Sequence, residues 1–302
     1  MIITEEHIKN LNNDPPKFKQ NLYPIPNDPN IQRPYHITCA VGQRGSGKSY
    51  SIVKMLSNQE RSGFADPITG EPVDIRHILF SPTIKGNPIF TTLKYLDEDD
   101  MINEYTENKL YEILEEIEQD KIQTERYRKY KIAYNRYIKM TDEQLIKSKD
   151  IEFLALLYEY DFVDWKELDP PLHPNGCVVN IILDDCLANK EAFSAKKGSL
   201  LVKTILNSRH YGVNVIIAAQ NLKSINKSIR ANTDVWILFR FKSEKIILDD
   251  LYPEISGILS PEEFLSLYHY ATTNDNDAFV IDGKADKQNM FKLNFDTILK
   301  FK

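Results

Sequence analysis

Residues 39–51 read CAVGQRGSGKSYS, and Gly42, Gly47, Lys48 and Ser49 fill the fixed places of the pattern G-x-x-x-x-G-K-[ST]. That spacing makes a phosphate cradle. Its glycines let successive backbone N–H groups turn inward around phosphate oxygens, and the helix that follows presents its positive end to the same anion. The lysine reaches the β and γ phosphates, and the hydroxyl beside it ligates Mg2+. A nucleotide, ATP with Mg2+, is therefore expected over Gly42, Gln43, Arg44, Gly45, Ser46, Gly47, Lys48, Ser49 and Tyr50. Arg44 stands in the loop beside the expected γ phosphate. It either supplies positive charge there or points at solvent or a neighbouring subunit.

Two acids make the second half of such a site. The run CVVNIILDD, residues 177–185, is mostly apolar and ends in two acids. At the C-terminal end of a buried strand, Asp184 is placed to hold the Mg2+ water shell, and Asp185 to polarise an attacking water. A second acid there favours hydrolysis over phosphoryl transfer; the alternative is a strand-end pair that caps the next element. Gln220 ends another apolar run, VNVIIAAQ. If that strand lies between the phosphate-loop strand and the acidic strand, its amide points at the γ phosphate. Guanine recognition usually needs N-K-x-D; NKEA and NKSI lack the aspartate, which speaks against a GTPase.

Positioning these groups requires a sheet. YHITCAV, IRHILFSPT, CVVNIILDD, VNVIIAAQ and DVWILFR read as strands, alternating with helical segments such as SYSIVKMLSNQ and SLLVKTILNSRH. Alternation of this kind gives a parallel sheet with right-handed crossovers, covered on both faces. The expected fold is thus an α/β P-loop NTPase, a three-layer sandwich with a mainly parallel central sheet. The proline-rich residues 1–34 read as an extended lead-in, and residues 35–302 as one ATPase domain. Residues 102–160 interrupt the pattern with long helix. Leu110, Ile113, Leu114 and Ile117 share one helical phase, and Tyr127, Tyr130, Tyr134 and Tyr137 share another, with a phase break between. The second half of this insertion is basic, through Arg126, Arg128, Lys129, Lys131, Arg136 and Lys139. It is read as a solvated arm or as a contact for nucleic acid or protein.

The 302 residues, 42% hydrophobic, suffice for a sizeable core, and a net charge of −6 excludes a general electrostatic coating of nucleic acid but not a few local contacts. Cys39, Cys177 and Cys186 show no paired spacing and read as buried thiols in a reducing compartment. The start MIITEEHIKN is not a signal peptide, and no apolar run is long enough for a membrane span, so a soluble intracellular protein is expected.

Residues 208–243, SRHYGVNVIIAAQNLKSINKSIRANTDVWILFRFKS, resemble the FtsK/HerA superfamily of ring-forming, DNA-pumping ATPases of the ASCE/RecA-like kind. Those proteins carry an arginine, a G-hhhh-A-Q strand, an I-(R/K)-A-N step and an hhhFR strand in this order. FSPT, the helical insertion, the Asp-Asp pair and the late FVID…FKLNFD segment are similar to the poxvirus-type genome-packaging ATPases of large DNA viruses and virophages. At FKLNFD the chain departs from that family, which carries an arginine there. The resemblance, over roughly residues 35–300, implies a homo-oligomeric ring of five or six subunits. It implies ATP-driven movement of double-stranded DNA into a preformed capsid, contacts with capsid or portal proteins, and residence in the host cytoplasm or the virion. It also implies an arginine donated to the neighbouring subunit's ATP. Arg209 matches the family arginine, and Arg230 and Arg240 compete for the role. Lys190, Lys196, Lys197, Lys223 and Lys227, in the loops after Asp185 and Gln220, are candidates for phosphate contacts with DNA. Alternatives are a cellular translocase of the same superfamily, a P-loop subunit that binds nucleotide to assemble but barely turns it over, and a nucleotide kinase.

Overall fold

The computed structural model describes residues 23–86, 88–186, 199–241, 243–255 and 259–300. Their strands are β1 (Ile25–Pro26), β2 (Ile37–Val41), β3 (Phe64–Ala65), β4 (Pro72–Phe80), β5 (Met101–Ile102), β6 (Cys177–Leu183), β7 (Val213–Ala219), β8 (Val235–Leu238), β9 (Phe279–Asp282), β10 (Phe291–Leu293) and β11 (Thr297–Ile298). All belong to one sheet in the order β1-β3-β4-β6-β7-β2-β8-β9-β10-β11, with β5 beside the end of β4. The middle of the sheet, from β4 through β6, β7 and β2 to β8, is parallel. Antiparallel strands extend it on both sides. β2, β7 and β8 are buried along their whole length, as continuous apolar runs demand when helices cover both faces.

Helix α1 (Lys48–Ser62) covers one face. Its Ile52, Val53, Met55 and Leu56 fall at helical spacing and pack with Ala40, Leu79, Ile182, Ile216 and Ile237. Helix α2 (Glu107–Tyr137) covers the other face through Leu110, Ile113, Leu114 and Ile117, which join Ile78, Phe80, Ile181 and Leu201. The result is the three-layer arrangement expected from the alternation of elements. Among the described residues no helix is long and apolar enough to cross a membrane.

The phase break in α2 has a structural cause: the helix changes partners. Tyr130 and Ala133 leave the main core and form a separate one with Phe153 and Leu157 of α4 (Ile151–Glu159), beyond the short α3 (Asp142–Ile146). The Tyr130 ring stacks on Tyr160 at 4.2 Å. The basic half of α2 is largely paired within the chain. Arg126 meets Glu159, Arg136 meets Asp150, and Lys129 lies between Glu125 and Glu152. Lys131 sits over the Trp165 ring at 4.3 Å. Arg128 pairs with Asp66, a buried acid in the β3–β4 turn that also accepts from the Ile68 and Thr69 N–H groups. The arm is therefore fastened to the sheet edge, and of its two readings these contacts favour the solvated helical arm.

Several elements differ from the sequence expectation. The strand expected at 75–83 runs Pro72–Phe80, and the helix expected at 199–210 breaks at Asn207 into Leu200–Leu206 and Ser208–Tyr211. The lead-in ends in β1, which pairs with β3 at the sheet edge; residues 1–22 lie outside the described residues. A buried polar chain also crosses the α1 face. The His36 N–H donates to Asn214 Oδ1 (3.0 Å), Asn214 Nδ2 to Asn180 Oδ1 (2.8 Å), and Asn180 Nδ2 to His77 Nδ1 (3.1 Å). A backbone N–H can only donate, so the direction of every later bond is set. His77 is left with its proton on Nε2, aimed at Glu60 Oε1 of α1 at 3.1 Å. Four parallel strands and the helix after the phosphate loop are thereby held in one register.

Candidate active site

The phosphate loop is built on the end of β2. The Gly42 N–H donates to Ala219 O at 3.1 Å, continuing the ladder one residue past the strand. A Cβ on Gly42 would stand 2.5 Å from Ser46 Oγ and 2.7 Å from Phe239 Cβ, so no larger residue fits without a shift. Gly47 caps α1 at φ 94°, a left-handed value that glycine adopts without strain. Lys48 is buried, and its Nζ donates to Gly42 O and Gln43 O, each at 2.9 Å. Burial lowers its pKa, while the charges of Asp185 and Asp184 pull the other way. Ser46 Oγ is buried without a hydrogen-bond partner. A tight glycine cradle, an orphan hydroxyl and a lysine folded over the loop fit a phosphate chain.

Ser49 Oγ lies 3.2 Å from both Asp184 Oδ1 and Oδ2, linking α1 to the end of β6. Asp184 is 2% exposed, and its N–H donates to Phe80 O. Burial, and then the charge of Asp185, push its carboxyl up to about 6, against the opposing pull of Ser49 and Lys48. A divalent cation would relieve that repulsion. A hydroxyl and a carboxylate suit Mg2+, which takes one or two protein ligands and completes its octahedron with water and substrate phosphates. Among the described residues no group of three or more His, Cys, Asp or Glu forms a closed metal cage.

Asp185 adopts φ 52°, a left-handed turn that a short polar side chain tolerates. Its Oδ1 accepts from Gln220 Nε2 at 3.2 Å. β7 does lie between β6 and β2, so the order on which the role of Gln220 depended is present. Loop, acid pair and glutamine thus converge at the C-terminal ends of three adjacent parallel strands.

The remaining candidates are dispersed. Arg44 is exposed and pairs with no described residue; Tyr50 is 61% exposed. Arg209 is exposed at the opposite end of β7, whose seven residues span roughly 23 Å, so it does not reach the loop of its own chain. Arg230 donates to Asp250 O, and Arg240 to Thr272 O and Thr273 O, so both are engaged within the chain. Lys223 lies 3.5 Å from Asp250, and Lys227 opens the short helix Lys227–Arg230, exposed. Lys190, Lys196 and Lys197 lie outside the described residues. Two residues that sequence reasoning missed touch the loop: Phe239 packs at Gly42 and Gly47, and Asn276 at Gly47. Phe239 stands in the hhhFR strand of the resemblance, but its contact with the loop, like that of Asn276, arises only from tertiary packing.

No protein-family model and no curated protein matches the sequence. Solved structures do. The genome packaging NTPase B204 from Sulfolobus turreted icosahedral virus 2, in complex with ATP-gammaS, aligns at 13% identity and a TM-score of 0.41, over 87% of this chain and 98% of that one. EssC (ATPases 2 and 3) from Geobacillus thermodenitrificans aligns at 15% identity and a TM-score of 0.40, over 76% of this chain and 39% of that one. The cytoplasmic domain of the Thermomonospora curvata type VII secretion ATPase EccC aligns at 15% identity and a TM-score of 0.38, over 88% and 29%. The fold assignment itself stands on the strand order and loop geometry of this chain, which is similar to these ATPases.

Proposed function

We propose that the chain is an ATP-hydrolysing motor that moves double-stranded DNA, with the packaging of a viral genome into a preformed capsid as its use. The observation that carries the hydrolytic part is the pair of contacts Ser49–Asp184 and Asp185–Gln220, which bring loop, acids and glutamine together. The DNA part rests on the FtsK/HerA-like block at residues 208–243.

In the proposed reaction, the loop N–H groups and Lys48 bind the β and γ phosphates and offset the charge that grows on the leaving phosphate. Ser49 and Asp184 are the residues that would hold Mg2+, which when bound would neutralise phosphate charge. Asp185 accepts a hydrogen bond from the attacking water and aims its lone pair at the γ phosphorus. The water–phosphorus bond forms as the bond to the ADP oxygen breaks, and the water's proton passes by way of Asp185 to the released phosphate, giving ADP and inorganic phosphate. Gln220, bonded to Asp185, fixes that carboxylate and registers the γ phosphate. Arg209, remote from its own loop, serves the neighbouring subunit of a ring. Lys223 and Lys227, after β7, serve as contacts for DNA phosphates only, which suits a motor that must pass any sequence.

Steady-state phosphate release, with and without double-stranded DNA, tests this reading. DNA is expected to raise turnover, and Lys48→Ala to abolish it. Negligible turnover by a protein that binds ATP normally would favour the assembly-only alternative instead.

A further inference from the structure

A nucleotide held by this loop has to place its base somewhere, and the surroundings of the loop are unequal. Ser49 and Asp184 mark the flank toward β6, where the terminal phosphate and the cation belong. The base therefore leaves on the other flank, toward β8, β9 and β10. There, residues 273–277 form a turn between the helix Pro261–Ala271 and β9 that abuts the loop. A Cβ on Gly47 would lie 3.4 Å from Asn276 Cβ and 3.6 Å from Asn276 O.

The turn is pre-organised. The Arg240 guanidinium donates to Thr272 O and Thr273 O, Asn274 Nδ2 bonds Asp277 Oδ2 at 2.8 Å, and Asn294 Nδ2 bonds Asp277 Oδ1 at 2.7 Å. These bonds hold Asn276 at φ 69° with its side chain exposed and its amide unbonded to any described residue. α1 offers the facing group. Lys54 pairs with Asp296, in the β10–β11 turn, at 2.5 Å. Tyr50 precedes Lys54 by four residues and so shares its helical face, on the same flank. Its ring is 61% exposed and stacks on no described residue.

We propose that Tyr50 and Asn276 form the nucleobase seat, the ring stacking on the base and the amide reading its edge, an inference that rests on the nucleotide-binding reading of the loop. An asparagine amide matches the N6/N7 edge of adenine with one donor and one acceptor, whereas guanine offers two acceptors there. The seat therefore selects ATP over GTP.

Calorimetric titration with ATP, GTP and inorganic tripolyphosphate, in the presence of Mg2+, tests the assignment on the wild type and three variants. Tyr50→Ala is expected to weaken ATP about five-fold or more while leaving tripolyphosphate within about two-fold, in line with the usual worth of base–aromatic stacking. Asn276→Gly keeps the left-handed backbone and removes the amide, so the ATP-to-GTP affinity ratio should fall toward one. Equal weakening of ATP and tripolyphosphate by Tyr50→Ala, or unchanged ATP affinity in both variants, overturns the seat alone. Unchanged ATP and tripolyphosphate affinity in Lys48→Ala would overturn the loop reading beneath it as well.

Discussion

Replacing Asn180 with leucine breaks the polar chain at its centre, and the structure sets the cost. Asn180, Asn214 and His77 are each 0% exposed, so the partners left behind cannot turn to water. Asn214 Nδ2 loses its acceptor and His77 Nδ1 loses its donor. Each buried orphan costs about 1–3 kcal/mol, giving about 2–6 kcal/mol for the pair. For a chain of 302 residues that corresponds to a melting midpoint lower by roughly 3–10 °C. Exposed Gln123→Ala, a control on α2, should shift the midpoint by about 1 °C or less. Asn214→Leu breaks the same bond from the other side, so the double variant should cost clearly less than the sum of the singles. Asn180 precedes Asp184 by four residues, roughly 13 Å along the strand, so turnover measured well below the midpoint should stay within about two-fold. Thermal unfolding followed by circular dichroism reads all of this. A midpoint for Asn180→Leu no lower than the control's, or strictly additive costs, would refute the chain of buried bonds.

Further outcomes follow from the same geometry. Asp185→Asn keeps the shape of the acid pair but removes its basic oxygen; kcat should fall by about 100-fold or more, with ATP affinity little changed by calorimetry. Gln220→Ala frees Asp185 and should lower kcat with a smaller effect, read by the same phosphate-release assay. Burial, with a smaller contribution from the Lys284 charge, holds the His36 pKa down to about 3, so the folded imidazole stays neutral where the unfolded one takes up a proton. The unfolded chain then binds more protons between pH 6.5 and about 3, so stability is full above that window and declines by about 1.4 kcal/mol per unit as pH falls through it. Urea titrations across this range should show the slope in the wild type and a reduced one in His36→Gln.

The parts of the molecule that were legible are those that burial writes into consecutive residues. CVVNIIL and VNVIIAA are buried on both faces, so nearly every position is apolar, and the acids and Gln220 stood out where the run stopped. The phosphate loop was legible because its geometry tolerates so few residue types. Two-residue strands such as β1, β3 and β11 were illegible, because two positions carry no periodicity. Asn180 and Asn214 looked like single faults in apolar runs; their meaning lies in being register partners on neighbouring strands, which no local window contains. The tyrosine stripe of α2 was read correctly as a helical face, but its partner, α4, shares no local pattern with it. Asn276 escaped for the same reason, lying far along the chain from the glycine it touches.

The most direct test of a DNA motor is displacement of a third strand from a triplex by the wild-type protein moving along the duplex. Displacement is expected with ATP and Mg2+, independent of the duplex sequence, and absent with a non-hydrolysable ATP analogue, in Lys48→Ala and in Asp185→Asn. A wild-type protein that hydrolyses ATP at the same rate with and without DNA and never displaces the third strand would contradict the assignment.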